Sequence, residues 1–294
     1  MAQKSTSAED AISDPEAFAF VQALASELST GKVELPSFPD IAMRVRQVLS
    51  DDSVGADKVV RVVGSEPALA ARLLQLANSA AMNFSGKTVT DLRTAVARMG
   101  FNMVRSAAIA FAMSQLKKQD ALKGLEKPLE VLWKRSAAVA AMSHSVARRL
   151  AKVNPDMAML AGLLHGIGQL YILTRTAKHP KLFANEAVYH NIVRDWHSSI
   201  AKALLENWGM AEEIVEAVGN YEDIGRTHTG PTDLTDVLTV GYLLASYRDH
   251  PESIELNMEG VVACTRMQLD RAAYDKLIKE SGEEIAAIQA ALGR

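Results

Sequence analysis

The stretch best suited to chemistry lies at residues 161–170, with the sequence Ala-Gly-Leu-Leu-His-Gly-Ile-Gly-Gln-Leu. His165 ends an apolar helical run, and Gly166 and Gly168 follow it. A histidine at a buried helix end is a candidate ligand or general base, because its imidazole titrates near neutral pH. Glycines at that point allow another helix or a ligand to approach closely. The alternative is a core histidine bonded to a backbone carbonyl, and the spacing alone favours that alternative.

The other histidines form weaker patterns. His190 and His197 are seven residues apart and therefore share one face of a helix. The rise of about 10 Å between them is too long for one metal ion, so we expect solvated or capping groups. Asp195 could orient the His197 imidazole, although a surface carboxylate is the simpler expectation. No function is predicted for His144 on a long helix or for His179, His228 and His250 in loops.

Three arginines offer a possible anion site. Arg93, Arg98 and Arg105 could line a cationic cleft for an anionic ligand such as a nucleotide, but a solvated helix face is the more frequent arrangement. The sequence holds no GxxxxGK[ST] or GxGxxG phosphate loop and no GxSxG nucleophile motif. Cys264 is the only cysteine, which excludes an internal disulfide framework and a cysteine-based zinc cluster. We expect its thiol to be buried.

These residues must be positioned by helices. Ala, Leu and Met favour helix, and alternating β-branched runs are few, so we predict an all-α fold. Helices are predicted over residues 57–63, 101–116, 129–150, 155–164, 193–208, 211–218, 234–247 and, as one or two helices, 272–292. The predicted starts are Asp14-Pro15, Glu66-Pro67, Thr90 and Asn154-Pro155, and the predicted stops are Gly31, Gly100 and a helix-breaking patch at Gly166 and Gly168.

Composition limits the class of protein. The chain has 294 residues, 48% of them hydrophobic, and a formal net charge of −3. This slightly acidic balance argues against a protein that coats nucleic acid. We find no apolar run near the roughly 18 residues that span a bilayer. The first 15 residues are polar and show no secretory segment. We therefore expect a cytoplasmic protein without membrane contact.

Ordered motifs carry a resemblance to a known family. Residues 163–170 resemble the Leu-His-Asp-Ile-Gly-Lys signature of the HD superfamily of metal-dependent phosphohydrolases. Residues 35–39, 65–69, 73–80 and 95–100 resemble motifs of the HDOD family, a degenerate branch of that superfamily. The motif positions are Pro36, Pro39, Pro67, Asn78, Ser79 and Gly100. The resemblance implies an HD-like helical bundle with an N-terminal helical subdomain.

The resemblance also divides the chain. It covers residues 33–248, with an N-terminal helical subdomain at 33–118 and an HD-like subdomain at 128–248. Residues 1–32 would form an N-terminal extension with a helix. Residues 249–294 would form a helical appendix, which docks either on its own core or on another subunit.

The HD positions depart from the metal-binding pattern. The resemblance places the first metal-ligating histidine at Arg135, retains His165 and His197, and replaces the aspartate of the His-Asp pair by Gly166. Gln169 stands where a lysine often follows, and Asn220-Tyr221 stands where a His-His pair is found in some HD enzymes. Asp236 lies about a turn too early to be the distal aspartate. We therefore expect no bound metal, no cofactor and no HD-type hydrolysis.

The resemblance implies a non-catalytic bacterial output or adaptor protein that transmits a signal through contacts with a signalling protein. Two alternatives stay open. One is a residual metal-dependent nucleotide phosphohydrolase built on His165 and His197. The other is a sensor that binds a nucleotide second messenger without cutting it, using Arg135 and the room left by Gly166, with Arg93, Arg98 and Arg105 as further anion-binding candidates. Partner and oligomeric state are not predicted.

Overall fold

The structure, a computed structural model, describes residues 15–31, 33, 40–49, 51, 53–79, 82–83, 85–116, 122–176, 179, 185–248 and 250–293. The described residues form helices and connecting turns without a strand, which confirms the all-α prediction. The motif prolines Pro36 and Pro39 lie outside the described residues.

The helices follow one another in this order: α1 Pro15–Ser29, α2 Asp40–Leu49, α3 Ala56–Gly64, α4 Pro67–Ala77, α5 Leu92–Leu116, α6 Glu126–Leu150, α7 Pro155–Leu164, α8 Ile167–Thr176, α9 Glu186–Asn207, α10 Glu212–Asn220, α11 Leu234–Ser246, α12 Ile254–Met258, α13 Val262–Arg266 and α14 Arg271–Gly293. A short 3₁₀ turn, Pro251–Ser253, precedes α12. The C-terminal segment, for which one or two helices are predicted, forms the single helix α14.

Most predicted helix starts are confirmed. Pro67 is the first residue of α4. The Asn154 side chain caps α7 by accepting from the backbone N–H of Asp156 at 2.9 Å. The prediction for α5 is wrong by one residue, because Asp91 and not Thr90 provides the cap. The Asp91 carboxylate accepts from the backbone N–H of Thr94 at 2.8 Å, which satisfies one of the free donors at the helix start.

The predictions for two glycines have different outcomes. Gly100 separates two helical segments within α5, as predicted, because its φ of 73° and ψ of 166° are not helical and kink the chain there. A φ in this region strains any residue with a Cβ, so glycine is required at the kink. Gly168 does not break a helix, because α8 already begins at Ile167.

Helix α6 is the centre of the bundle. It packs against α7, α11 and α14, and two glycines allow the first two of these close approaches. A Cβ atom built on Gly162 of α7 would lie 2.6 Å from the Cα atom of Ala140. Gly241 of α11 faces Ser143 in the same way. Bulkier residues at either position would push the helices apart.

The C-terminal helix docks on the core of its own chain. Helix α14 buries its own side chains Leu277, Ile285 and Ile288. It also contacts α4 and α5. Glu284 lies 2.9 Å from a guanidinium nitrogen of Arg148 through one carboxylate oxygen. The C-terminal appendix therefore packs on its own core, one of the two arrangements left open by the sequence. The division into subdomains stays a prediction.

One stretch, Pro155–Thr176, is long and apolar enough to cross a membrane, contrary to our expectation from the sequence. It comprises α7 and α8 with the turn at His165 between them. Within its most apolar window, 89% is buried inside the protein, so packing against the core accounts for its composition.

Candidate functional site

His165 lies in the turn between α7 and α8 and is completely buried. Its Nδ1 atom lies 2.6 Å from the carbonyl oxygen of Gly162, and since a carbonyl only accepts, Nδ1 carries the proton. Burial lowers the pKa of His165 to about 4, so the ring is neutral at physiological pH. The Nε2 lone pair is buried without a hydrogen-bond partner.

Two tyrosines enclose the His165 ring. Tyr221 and Tyr242 meet it edge-on, with ring centroids 5.5 and 5.6 Å away. The two tyrosine rings are themselves 4.9 Å apart. Sequence reasoning noted Tyr221 only as a replacement for a histidine, and it missed Tyr242. Tyr221 and Tyr242 therefore form an aromatic wall beside His165.

Arg135, at the position of the first expected metal-ligating histidine, stacks on this wall. Its guanidinium carbon lies 4.7 Å from the centroid of the Tyr242 ring, a cation–π contact. Its Nη2 also donates to the Tyr242 hydroxyl. The position that should supply a ligand thus holds a fixed positive charge.

His197 is buried in α9, so the expectation of a solvated or capping histidine is wrong. Its Nε2 lies 2.9 Å from Oε2 of Glu222. Burial alone would raise the pKa of Glu222, but the hydrogen bonds from His197 and Tyr221 and the nearby charge of Arg135 outweigh it and hold the pKa below its usual value. The ionised carboxylate can only accept, so Nε2 donates. Asp195 is not its partner and instead pairs with Arg194.

Glu222 is a functional candidate that sequence reasoning missed. Its Oε1 accepts from the Tyr221 hydroxyl at 3.1 Å, so the carboxylate joins His197 to the aromatic wall. The available signal was its place directly after Asn220-Tyr221, where the resemblance expects histidines. His190, two turns from His197 on α9, is exposed and takes no part in this group.

Gly166 has no room for the carboxylate of a His-Asp pair in the present packing. A Cβ atom at this position would lie 2.9 Å from Cδ1 of Leu132 and 3.3 Å from Oγ of Ser136. Both side chains come from α6 and occupy the space beside the turn. Gln169 is half-buried on α8.

Asp236 belongs to a different cluster. It is buried at the start of α11, where it forms a capping box with Asp233. Its carboxylate lies 2.9 Å from Nε2 of His228 and within 3.4 Å of Arg226 and Arg266. His228, Asp233 and Asp236 are the one group of three candidate metal-ligating side chains, within 4.8 Å of one another, in the described part of the chain. The two arginines already neutralise its carboxylates.

The three predicted anion-binding arginines have separate partners. Arg93 pairs with Asp57. Arg98 donates to the backbone carbonyls of Ala77 and Lys87 at 3.1 and 2.9 Å. Arg105 donates to the carbonyl of Leu49 at 3.0 Å. Each therefore fastens a neighbouring segment, and a role in anion binding stays a prediction.

The Asn78-Ser79 motif stabilises the chain through hydrogen bonds to the backbone. The Asn78 amide donates to the carbonyls of Leu74 and Val89 at 2.9 and 2.7 Å, and it accepts from the Val89 N–H at 2.7 Å. Ser79 donates to the carbonyl of Leu76 at 2.7 Å. These bonds tie the end of α4 to the segment before α5.

Cys264 and three histidines contribute no site of their own. Cys264 is buried, as expected, and burial raises the pKa of its thiol to about 11. His144 is buried against Glu284, and its Nδ1 lies 3.2 Å from a carboxylate oxygen of that residue. His179 lies 3.5 Å from Glu16, and His250 is exposed.

A cavity of about 350 Å³ opens beside the aromatic wall. Tyr221, Tyr242 and Tyr247 line it together with the charged side chains of Arg135 and Glu222. His165 is completely buried and is not among the lining residues, whereas both tyrosines that contact its ring line the cavity.

The amino-acid sequence matches a family model. The model of the HDOD domain matches residues 35–224. The chain belongs to the HDOD family. This confirms the resemblance seen in the sequence motifs. No curated protein matches this HDOD protein.

Solved structures share the fold of this HDOD protein. A candidate metal-dependent phosphohydrolase from Shewanella amazonensis SB2B has a TM-score of 0.76 and 24% identity, covering 94% of this chain and 99% of its own. An HDOD domain protein of unknown function from Geobacter sulfurreducens has a TM-score of 0.63 and 23% identity, covering 92% and 96%. A candidate signal transduction protein from Marinobacter aquaeolei VT8 has a TM-score of 0.60 and 22% identity, covering 96% and 67%.

Proposed function

We propose that this HDOD protein is a non-catalytic output or adaptor protein of bacterial cytoplasmic signal transduction, which acts through contacts with a signalling partner. Membership of the HDOD family and the fold shared with a candidate signal transduction protein fit a signalling role. The observation that carries the proposal is the packing around His165, where Arg135 and two tyrosines stand beside the one retained histidine of the signature pair.

The donor set does not fit an HD-type metal centre. His165 alone has a ligand-ready arrangement, since Nδ1 is fixed by a carbonyl and the Nε2 lone pair has no partner. Gly166 supplies no donor, and Leu132 and Ser136 fill the space of its missing side chain. His197 directs Nε2 to Glu222. The guanidinium of Arg135 repels a cation.

Because the region around His165 is filled by packed side chains, we expect function to reside on the protein surface. Catalysis of phosphoryl transfer by metals requires ions that bridge and neutralise the reacting oxygens. A rigid, neutral histidine behind two tyrosine rings offers no such charge. The helical bundle then acts as a rigid scaffold, and a partner protein binds to the exposed faces of its helices.

Binding to a partner tests the proposal. The full chain is used as bait, and each enriched protein is purified and titrated against it in calorimetry. We expect saturable binding to a protein with a receiver, kinase or second-messenger domain, retained in the His165→Ala variant because the histidine does no chemistry. Failure of every purified candidate to bind would contradict the adaptor role.

Metal analysis tests the hydrolase alternative separately. We expect purified protein to carry far less than one equivalent of Fe, Mn, Zn or Ni. Near-stoichiometric metal that is lost in His165→Ala, together with nucleotide hydrolysis, would overturn the non-catalytic proposal. His190→Ala is the matched control, because His190 is exposed on α9.

A further inference from the structure

We propose that the cavity beside the aromatic wall binds a small planar nitrogen heterocycle that presents N–H donors on one edge and carries an anionic group. The cavity measures about 350 Å³, within the range of small-ligand sites. Arg135, at the position of the first expected metal-ligating histidine, lines the cavity, and so do the two tyrosines whose rings contact the buried His165. The inference does not rest on the adaptor role.

Opposite charges line the cavity. Arg135 and Glu222 both contribute to its lining and attract each other, but they form no direct ion pair. Glu222 is 38% exposed through its side chain, and Arg135 is also exposed. A ligand that carries a donor edge and an anionic group can therefore engage both charges at once.

The two charged groups are held in place before a ligand arrives. The Tyr242 hydroxyl and ring fix Arg135, while His197 and Tyr221 each donate to one oxygen of Glu222. A carboxylate has about four acceptor sites, and two of those of Glu222 are used. A guanidinium has five N–H donors, of which Arg135 directs one to Tyr242. Both groups keep capacity for a ligand, and little side-chain ordering is needed on binding.

The remaining wall favours a flat ring. Tyr242 and Tyr247 are half-buried and supply aromatic surface, whereas the Tyr221 side chain is buried. Ile224 adds an aliphatic contact at an exposed position. A flat ring that stacks on tyrosine gains an aromatic contact in addition to the burial of apolar area. A simple anion would leave this surface unused and would meet Glu222. A simple cation would compete with Arg135, which already covers the Tyr242 ring.

Calorimetric titration of the full chain tests the site. Guanosine 5′-monophosphate and pterin-6-carboxylate are the probes, because each joins a flat ring, an N–H edge and an anionic group. Guanosine lacks the anion, and ribose 5-phosphate lacks the ring. We expect both probes to bind, guanosine to bind about tenfold more weakly than its monophosphate, and ribose 5-phosphate to give no saturable heat, since a charge-assisted hydrogen bond is worth about 1.5 kcal/mol or more.

Variants separate the two contacts. Arg135→Gln should weaken guanosine 5′-monophosphate about tenfold and leave guanosine unchanged, whereas Glu222→Gln should weaken both. Lys134→Gln is the matched control, because Lys134 carries the same charge on the same helix and pairs with Glu130 outside the cavity. Circular dichroism verifies that each variant is folded.

Three results would overturn the inference: no binding of either probe, equal binding of ribose 5-phosphate and guanosine 5′-monophosphate, or an equal loss in Lys134→Gln and Arg135→Gln. None of these bears on binding of a protein partner, so the two proposals fail independently.

Discussion

The backbone of Gly168 on α8 rests against the carbonyl of His197 on α9. A Cβ atom on Gly168 would overlap that carbonyl oxygen, and the Cα atom of His197 would lie 3.0 Å away. The contact joins the helix that follows His165 to the helix that carries His197. Gly168 therefore positions His165 and His197 relative to each other.

Gly168→Ala should destabilise the protein by about 3 kcal/mol, the upper end of typical overpacking costs, because backbone atoms cannot rotate away as a side chain would. Urea unfolding measures the change. Gly282→Ala is the control: Gly282 lies in α14 with open space around its Cα, so alanine should stabilise by about 0.5–1 kcal/mol. Equal effects of the two substitutions would contradict the helix contact.

His165 should make stability fall as the pH is lowered from 6.5 to 4. In the unfolded chain the histidine binds a proton with its ordinary pKa of 6.5, whereas the buried ring resists protonation until about 4. Protons therefore favour the unfolded chain in this window, and up to about 3 kcal/mol is lost at its lower end.

Urea unfolding at a series of pH values measures this loss. His165→Gln should flatten the slope between pH 6.5 and 4, because glutamine does not titrate. The exposed His190→Gln should retain the slope. An unchanged slope in His165→Gln would show that other groups cause it.

Asn78→Asp should cost about 2 kcal/mol. The aspartate keeps the acceptor for the Val89 N–H but loses both donations to carbonyls, and it places a negative charge beside two carbonyl oxygens. Asn220→Asp is the control, since Asn220 donates only within α10 at an exposed site. Similar losses in thermal unfolding for both variants would contradict a special role of the Asn78 hydrogen bonds.

The sequence predicts local features of this fold better than contacts between distant segments. Pro67 and the Asn154 cap lie next to the helices they start, so their effect is local and visible in the order of residues. The helix that contains Gly168 is not predicted, because glycine disfavours helices in isolation. Glycine is needed at this position only because the backbone of α9 lies against it.

The candidate site also combines residues that the local sequence indicates with residues that only contacts between distant segments bring together. His165 and His197 are marked by type, but Glu222 is 25 residues from His197 and Tyr242 is 107 residues from Arg135. No local spacing rule connects such pairs. The burial of His197 also depends on how α9 packs, which hydrophobic periodicity does not reveal for a single polar residue.

Glu284 should hold the C-terminal helix to α6 above acidic pH. Burial would raise its pKa, but His144 and Arg149, with the charge of Arg148, outweigh burial and lower the pKa to about 2. The unfolded glutamate keeps a pKa near 4.5. The carboxylate therefore contributes up to about 3 kcal/mol above pH 4.5, and this contribution is lost as the pH falls from 4.5 to 2.

Glu284→Gln should remove this acid-dependent slope and destabilise the protein at pH 7 by about 3 kcal/mol, because three basic side chains lose their common partner. Hydrogen exchange should quicken first in α14, since Glu284 joins this helix to three side chains of α6. The exposed neighbour Glu283→Gln should leave the exchange rates and the acid limb unchanged. If α14 exchanges equally slowly in both variants, apolar packing of Leu277, Ile285 and Ile288 alone holds the helix, and the ion cluster only adapts to it.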